Sequence, residues 1–229
     1  MIVGIHQLHY LPWVRYFHKI ASCDVFVALD NIQFNKNGWQ NRNKIKNAQG
    51  WTYLTVPIVH KYQQRLDEVA VNNNVRWRKV HWNSLVTNYN RTKYFKQYQD
   101  FFKDAYTKDW HYLNDLNYEM LIFFVTALGI KTKIVRSSQL NISGEGTERL
   151  VNICKTLGGD TYLSGAYAAQ VYLEPGLFDE AGIKIVYQQW HCPTYIQQFN
   201  HLGFIPDLAI VDLLFNEGEK SLDILLSSH

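Results

Sequence analysis

The chain lacks several features that mark well-known classes of proteins. Its 229 residues include three cysteines, Cys23, Cys154 and Cys192, whose odd number and spacing fit neither a disulfide framework nor a zinc site. The longest apolar run, residues 120–128, is too short to span a bilayer. No charged and apolar leader precedes the first strand. These absences predict a reduced, cytoplasmic protein with no stable membrane insertion.

A large excess of charge of one sign is also missing. The formal net charge is +3 and only 19% of residues are charged, so a nucleic-acid partner is not expected. The P-loop, the GxGxxG turn and the GxSxG elbow are absent. A hydrophobic share of 47% is enough for a substantial core, and aromatic residues reach 15% of the chain. Such an aromatic share fits dense packing or stacking on sugar and base rings.

The order of apolar runs predicts an α/β fold. Short apolar runs end at Ile5 and Leu29, and a helical repeat of Val14, Phe17 and Ile20 lies between them. Further strands are predicted over residues 51–58, 131–137, 161–163 and 183–187, and helices over residues 148–157, 166–173 and 204–216. Strands that alternate with helices form a mostly parallel sheet flanked by helices, as in three-layer nucleotide-binding-like sandwiches.

Two segments depart from this alternation. Residues 75–128 carry aromatic side chains at helical spacing, which predicts an aromatic-rich helical layer inserted into a single α/β domain over residues 1–229. Residues 31–50 are rich in amides and contain no acid. Because this segment has little to bury, we expect it to form a long, partly ordered loop.

The turn after the first strand is the first candidate for a functional site. His6 and His9 lie there beside Tyr10 and Trp13, and loops at the carboxyl ends of strands are where ligands usually bind. Histidines in such a turn can accept a proton or stabilise charge on a phosphoryl group. A structural interpretation stays open, in which His6 caps the strand and His9 lies on the surface. A metal would need a third ligand, so no metal is predicted.

The acid-free segment after the second strand is the second candidate. Its cations can bind phosphate and its indole can stack on a ring, although a solvated basic loop has the same composition. The predicted substrate- and phosphate-binding residues, with Tyr10 and Trp13, are Gln33, Lys36, Trp39, Asn41, Arg42 and Lys44. Ser164 and Gly165 join them because they follow a short strand. The turn at residues 143–147 could cradle an anion or cap a helix.

These residues resemble the WbqC-like protein family over essentially the whole chain. The matching segments are His6-Gln7-x-x-Tyr10-Leu11-Pro12-Trp13, Asp24-Val25-Phe26-Val27-x-Leu29-Asp30, Trp39-Gln40-Asn41-Arg42-Asn43, Tyr162-Leu163-Ser164-Gly165 and Asp212-Leu213-Leu214-Phe215-Asn216. Leu8 and Arg15 stand where the family tends to have proline and glycine. His9 stands where the family often has an amide, so the resemblance favours His6 over His9 as the catalytic residue.

The resemblance implies a role in making bacterial surface glycans, because members occur in O-antigen gene clusters. It also implies acyl or glycine-like aminoacyl transfer to a sugar. We therefore expect a transferase acting on a nucleotide- or lipid-linked sugar, with His6 and His9 as catalytic candidates and Asp30 orienting His6 or sharing its proton. The cofactor is left open between a nucleotide and an acyl or aminoacyl donor. The expected partner is a phosphorylated or sugar-nucleotide substrate, and a homo-oligomer is left open.

Two other functions remain open from the residues alone. The strand, histidine-bearing turn and helix are similar in layout to those of nucleotidyltransferases and adenylating ligases, so the turn could hold a nucleoside triphosphate. The chain could instead be a non-catalytic ligand-binding protein of a glycan pathway. Such a protein would keep the basic segment and the aromatic residues but would not need His6.

Overall fold

A five-stranded parallel sheet forms the centre of the protein. The computed structural model describes residues 1–165 and 173–227. Its strands are β1 (Ile2–Gln7), β2 (Val25–Leu29), β3 (Arg42–Asn47), β4 (Gly50–Thr55), β5 (Ile58–Val59), β6 (Ala70–Val71), β7 (Lys133–Arg136), β8 (Thr161–Ser164) and β9 (Lys184–Tyr187). The central sheet has the order β7-β2-β1-β8-β9, and each neighbouring pair is parallel.

The direction of the strand order changes between β1 and β8. From β1 the chain moves to β2 and β7 on one side and then crosses to β8 and β9 on the other. Pairing of β1 with β2 continues to Gln7↔Leu29, but pairing of β1 with β8 ends at Gly4↔Leu163. The two central strands therefore separate before their carboxyl ends. Crevices at such a switch point are the usual ligand sites of open α/β sheets.

Helices cover both faces of the sheet. They are α1 (Val14–Ala21), α2 (Trp77–Tyr89), α3 (Phe95–Ala105), α4 (Leu113–Ala127), α5 (Gly146–Leu157), α6 (Pro175–Glu180), α7 (Ile210–Glu217) and α8 (Ser221–Leu226). On one face, Val3 and Val27 share a hydrophobic cluster with residues of α5 and α6. On the other face, Phe26 and Ala28 share a cluster with residues of α1 and α4. The predicted fold class, an α/β fold with a parallel sheet flanked by helices, is confirmed.

The aromatic-rich layer predicted over residues 75–128 is also present, as α2, α3 and α4. Its rings pack against each other in the core: the Phe102 ring centroid lies 6.0 Å from that of Phe124 and 5.3 Å from that of Phe215 in α7. Trp77 and Tyr89 are buried in the same cluster. Much of the aromatic content of the chain is therefore structural.

The segment of residues 31–50 is more ordered than the sequence predicts. Its second half forms β3, which pairs with β4 in an antiparallel hairpin that closes at Asn47↔Gly50, where Gly50 has a φ of +120°. The expectation of a loop was wrong here because a polar residue, Asn43, shares the buried face of β3 with Ile45. Asn43 is fully buried and donates from Nδ2 to Leu11 O at 2.7 Å.

The remaining predictions concern the end of the chain. The last predicted helix begins at Ile210 rather than at residue 204. The helix predicted over residues 166–173 falls almost wholly outside the described residues.

None of the helices within residues 1–165 and 173–227 combines the length and apolar character needed to cross a bilayer.

Candidate functional site

The hairpin holds the turn between β1 and α1. The amide of Tyr10 donates to Trp39 O at 3.3 Å, and Asn43 donates to Leu11 O. Leu11 has a φ of +42°, a left-handed conformation that costs a non-glycine residue about 1 kcal/mol or more. Strain of this kind clusters at functional turns because surrounding contacts must maintain it. The turn that carries His9 is therefore both strained and firmly positioned.

His6 and His9 lie side by side within a group of aromatic rings. Their ring centroids are 4.9 Å apart and the planes are close to perpendicular. The Trp13 ring lies 6.1 Å from His6 and 5.1 Å from His9, and the Tyr16 ring lies 4.9 Å and 5.7 Å from them. The structure thus brings together three of the predicted site residues. It adds Tyr16, which could have been found from its position three residues after Trp13 on the same helix face.

Both histidines are neutral at pH 7. Burial lowers the pKa of His9 to about 3. Burial is the main cause that lowers the pKa of His6 well below its usual value, and the neighbouring His9 imidazole and the cations Lys19 and Arg15 lower it further. His6 Nδ1 lies 3.2 Å from Gln7 O, and because a carbonyl oxygen can only accept, Nδ1 carries the hydrogen. His6 Nε2 is then the unprotonated nitrogen and can accept a proton.

His9 contains a buried nitrogen without a partner. The residue is 3% exposed, and its Nδ1 makes no hydrogen bond within the described part of the chain. The interpretation of His9 as a surface residue is therefore wrong. Leaving a buried polar atom unpaired costs about 1–3 kcal/mol, and such an atom in a native structure calls for a bound group or water as its partner.

The hairpin extends this group of rings towards solvent. The Trp39 ring lies 5.2 Å from Trp13 and 6.2 Å from Tyr53, and Lys44 Nζ lies 5.9 Å and 5.2 Å from the Trp39 and Trp51 rings. Trp39, Trp51 and Tyr53 are 36%, 47% and 38% exposed. We call Trp39, Arg42, Lys44, Trp51 and Tyr53 the hairpin face. Exposed rings beside cations can bind a sugar ring and an attached anionic group.

The other residues predicted on this segment are placed differently. Arg42 lies 4.7 Å from the Tyr53 ring and donates to Asn37 O at 2.5 Å, so it belongs to the hairpin face. Gln33 and Lys36 are exposed on the connection that precedes β3. Asn41 is buried and donates to Val56 O at 2.9 Å, which gives it a structural role. Trp51 and Tyr53 were missed, although their alternation along β4 is visible in the sequence.

Tyr10 lies in the core rather than in the site. It is fully buried, and its hydroxyl lies 2.8 Å from His81 Nδ1 and 2.6 Å from the Tyr106 hydroxyl. His81 Nε2 in turn lies 3.2 Å from Thr55 O. The chain of hydrogen bonds joins the turn to the helical layer and the hairpin. The expectation that Tyr10 contacts a ligand is therefore replaced by a positioning role.

The carboxylate of Asp30, too, bonds to residues other than His6. Its carboxylate accepts hydrogen bonds from Arg136 Nε at 2.6 Å, Ser138 Oγ at 2.7 Å and Ser137 Oγ at 2.9 Å. Burial alone would raise the pKa of Asp30, but the hydrogen bonds from Ser138, Arg136 and Ser137 outweigh it and lower the pKa. Since these donors occupy both oxygens, the expected pairing of Asp30 with His6 is not formed.

Ser164 and Gly165 lie at the same edge of the sheet as His6, across the switch point. Ser164 is fully buried, its hydroxyl donates to Gly165 O at 3.2 Å, and its carbonyl accepts from Gln188 N at 2.8 Å. The segment of residues 143–147, predicted as a turn, leads into α5 and includes its first two residues. There Thr147 Oγ1 accepts from Glu174 N at 3.1 Å, which is a structural contact.

The site offers neither an activated thiol nor a recognisable metal centre. Burial raises the pKa of Cys23 and of Cys154 to about 12, and it also raises the pKa of Cys192, so their thiols are poor nucleophiles. Among the described residues, no group of three or more His, Cys, Asp and Glu side chains could hold a metal ion. A depression of ≈400 Å³ beside Cys23 and Asp24, at the amino-terminal edge of the sheet, has no histidine or aromatic ring in its lining.

Comparison with known proteins places the chain in a family. The WbqC-like protein family matches residues 7–224, a span that begins one residue after His6 and contains the rest of the turn and the hairpin. The chain belongs to the WbqC-like protein family. An uncharacterized protein of Mycobacterium tuberculosis (strain ATCC 25618 / H37Rv), Rv1507c, is 34% identical to this WbqC-like chain over 228 residues, which cover 97% of this chain and 96% of the relative. No solved structure matches it.

Proposed function

We propose that this WbqC-like protein is a cytoplasmic enzyme that transfers an acyl or aminoacyl group to an activated sugar. The sugar is linked to a nucleotide or a lipid and serves the synthesis of bacterial surface polysaccharide, a role with which the family match is consistent. The observation that carries the proposal is the position of His6. His6 lies near the carboxyl end of β1, at the switch point of the sheet, and its ring, with Nε2 unprotonated, belongs to a cluster that leads through Trp13 to the hairpin face.

The proposed reaction needs a base at this position. An amine or hydroxyl of the sugar attacks the carbonyl carbon of the donor and gives its proton to His6 Nε2. The new C–N or C–O bond forms, the bond from the carbonyl carbon to the leaving group breaks, and the proton passes from His6 to the leaving group. General base catalysis of this kind contributes about 10²–10⁴-fold to the rate.

The low pKa of His6 makes it a weak base in the free protein. A bound diphosphate changes this, because a nearby negative charge favours the protonated form of an imidazole and raises its pKa. The substrate therefore strengthens the base that acts on it. His9 Nδ1, which lacks a partner in the free protein, is a second group that a bound substrate can satisfy.

The hairpin face supplies the contacts that hold the substrate. Lys44 and Arg42 provide positive charge for the diphosphate, and Trp39 and Trp51 provide exposed rings on which a sugar or base can stack. Because Trp39 touches Trp13 and Trp13 touches both histidines, a substrate stacked on the hairpin face extends towards His6.

The experiment that tests the proposal combines binding with product analysis. Thermal shift is measured with ATP, UDP-glucose, UDP-N-acetylglucosamine and acetyl-CoA, with free glucose as the control, because a ligand that binds only the folded state raises Tm. Mixtures that contain a stabilising ligand are then analysed by mass spectrometry. We expect a sugar nucleotide to stabilise the protein and to gain the mass of an acyl or aminoacyl group without release of pyrophosphate.

Other outcomes identify other functions. Release of pyrophosphate from ATP in the presence of a sugar or an amino acid contradicts acyl transfer from a preformed donor and identifies a nucleotidyltransferase or ligase. Stabilisation by a sugar nucleotide without any product, over a full set of acyl and aminoacyl donors, identifies a ligand-binding protein.

A further inference from the structure

A charged lysine lies in the gap between the two central strands. Lys19, in α1, is 3% exposed. Its Nζ donates to Ile5 O at 2.7 Å and lies 5.8 Å from the centre of the Tyr162 ring. Ile5 belongs to β1 and Tyr162 to β8, so the ammonium group spans the two strands on either side of the switch point.

The strand pairing explains why there is room for this side chain. The last residue pair between β1 and β8 is Gly4↔Leu163. At the next residue, Ile5 O accepts its hydrogen bond from Lys19. Lys19 therefore lies where β1 and β8 separate, directly beyond Gly4 and Leu163, with His6 following Ile5 near the end of β1.

The ammonium group lacks the partner that a buried charge normally has. The ion pairs formed within the described ranges, 1–165 and 173–227, do not include Lys19. Burial lowers the pKa of Lys19 to about 8, so the group is still mostly charged at pH 7. An ammonium has three N–H donors, and a single carbonyl satisfies one of them. Because isolated buried charges are costly, proteins pair them, so this ammonium group is suited to bind an anion.

The position of Lys19 also links it to the base. Its charge is close enough to His6 to contribute to the lowered pKa of that imidazole. A group that reached Lys19 would thus lie beside His6, on the side of the crevice bounded by Ser164.

We propose that Lys19 binds a phosphoryl group of the substrate at the floor of the crevice between β1 and β8. The inference rests on the proposed function, in which the sugar carries a diphosphate. One phosphoryl group contacts Lys19, the reacting sugar lies near His6, and the remainder of the substrate extends past Trp13 to the hairpin face. Lys19 is then a binding residue of the active site that the sequence did not single out.

The test separates charge from structural support. Lys19→Gln removes the charge but keeps a donor for Ile5 O, Lys19→Arg keeps the charge, and Lys155→Gln removes a charge from the exposed side of α5. Affinity for inorganic pyrophosphate is measured by calorimetry, and urea denaturation confirms that each variant is folded. We expect binding about tenfold to a hundredfold weaker in Lys19→Gln, within a few-fold of the unmodified chain in Lys19→Arg, and unchanged in Lys155→Gln.

A second measurement reports on the site without any ligand. NMR titration of the His6 ring is expected to show a higher pKa in Lys19→Gln than in the unmodified chain, because a positive charge has been removed. Lys19→Met serves as the neutral variant if Lys19→Gln does not fold. Pyrophosphate binding that survives the loss of charge makes Lys19 structural and overturns this inference alone. Failure of the unmodified chain to bind both pyrophosphate and UDP-glucose overturns this inference together with the proposed function.

Discussion

The two halves of the carboxyl edge of the sheet differ in how the carboxylate of Asp30 and the side chains of His9 and Lys19 are paired. Over β2 and β7, Asp30 is surrounded by donors from Arg136, Ser137 and Ser138. Over β1 and β8, His9 Nδ1 has no hydrogen bond and Lys19 has no acidic partner among the described residues. A satisfied buried network stabilises a fold, whereas unsatisfied buried groups cost free energy unless something binds to them.

This difference assigns different roles to the two halves. The half with Asp30 is expected to matter for stability, and the half with His6 is expected to matter for binding and turnover. The strained φ of Leu11 falls in the second half, as expected if contacts maintain that turn for function.

The largest effect that separates the halves is expected at His6. His6→Ala should lower turnover by about 10²–10⁴-fold, because it removes the proposed general base. The urea midpoint should change only modestly, since His6 keeps some exposure to solvent and its side chain makes a single hydrogen bond among the described residues, to the carbonyl of Gln7. Steady-state rates of acyl transfer and urea denaturation measure the two quantities. His201→Ala, an exposed histidine outside the site, is the matched control, and wild-type-like turnover in His6→Ala would contradict the assignment.

The opposite result is expected at Asp30. Asp30→Asn should lower the free energy of unfolding by about 2–3 kcal/mol, somewhat less than for a fully buried pair because Arg136 keeps 24% exposure. Turnover at low temperature, where the variant stays folded, should be close to that of the unmodified chain. Because the pKa of Asp30 is lowered on folding, its contribution is present above about pH 4 and is lost below it. The stability gap should therefore narrow in acid, and a large loss of turnover with unchanged stability would reverse the roles of the two halves.

The fold was largely predictable because its signals are local. The buried run at β2 and the repeat of Val14, Phe17 and Ile20 each depend on residues that are close in sequence. The hairpin strand β3 was not predictable, because its buried face uses Asn43, whose partner Leu11 lies far away along the chain. From the sequence alone, a buried asparagine cannot be distinguished from an asparagine in a loop, because its hydrogen-bond partner is not known.

The position of the site was predictable from the sequence, but only some of its residues were. The turn and the cations of β3 can be found from composition, and the structure joins them through the contact of Trp13 with Trp39. Tyr10 and Asp30 were placed in the site for their chemistry, yet long-range partners hold both in closed networks. Lys19 was not among the predicted site residues, because only the early end of the pairing between β1 and β8 shows where it lies.

A smaller effect is expected in the pH dependence of stability, and it comes from His9. A histidine whose pKa is lower in the folded chain stabilises the fold above about pH 6.5 and loses that contribution as the pH falls towards its folded pKa. For His9 the window runs from about pH 6.5 to about 3, with a slope of up to about 1.4 kcal/mol per pH unit. When the pH falls from 6.5 to 5.5, the free energy of unfolding should therefore decrease by about 1 kcal/mol less in His9→Phe than in the unmodified chain.

Comparison of the two chains isolates this effect. His6 and His81 titrate in the same direction as His9, and Asp212, whose pKa burial raises to about 6, titrates in the opposite direction. These groups are present in both chains, so their contributions cancel in the difference. Urea denaturation at the two pH values gives the result, and equal acid sensitivity of the two chains would mean that His9 is not neutral and buried as described.

The smallest effect is expected on the hairpin face, which adjoins the half of the sheet edge that carries His6. Lys44→Ala should weaken binding of UDP-glucose by about threefold to fivefold, because a partly exposed ammonium beside two indole rings contributes about 0.5–1 kcal/mol. Lys133→Ala removes the same charge from the exposed start of β7, at the opposite edge of the sheet, and should leave the affinity unchanged. Raising the salt concentration should reduce the difference between Lys44→Ala and the unmodified chain, since exposed charges are screened. Equal weakening by both substitutions would show that net charge alone attracts the ligand, and the hairpin face would then lose its part in the site while His6 and Lys19 kept theirs.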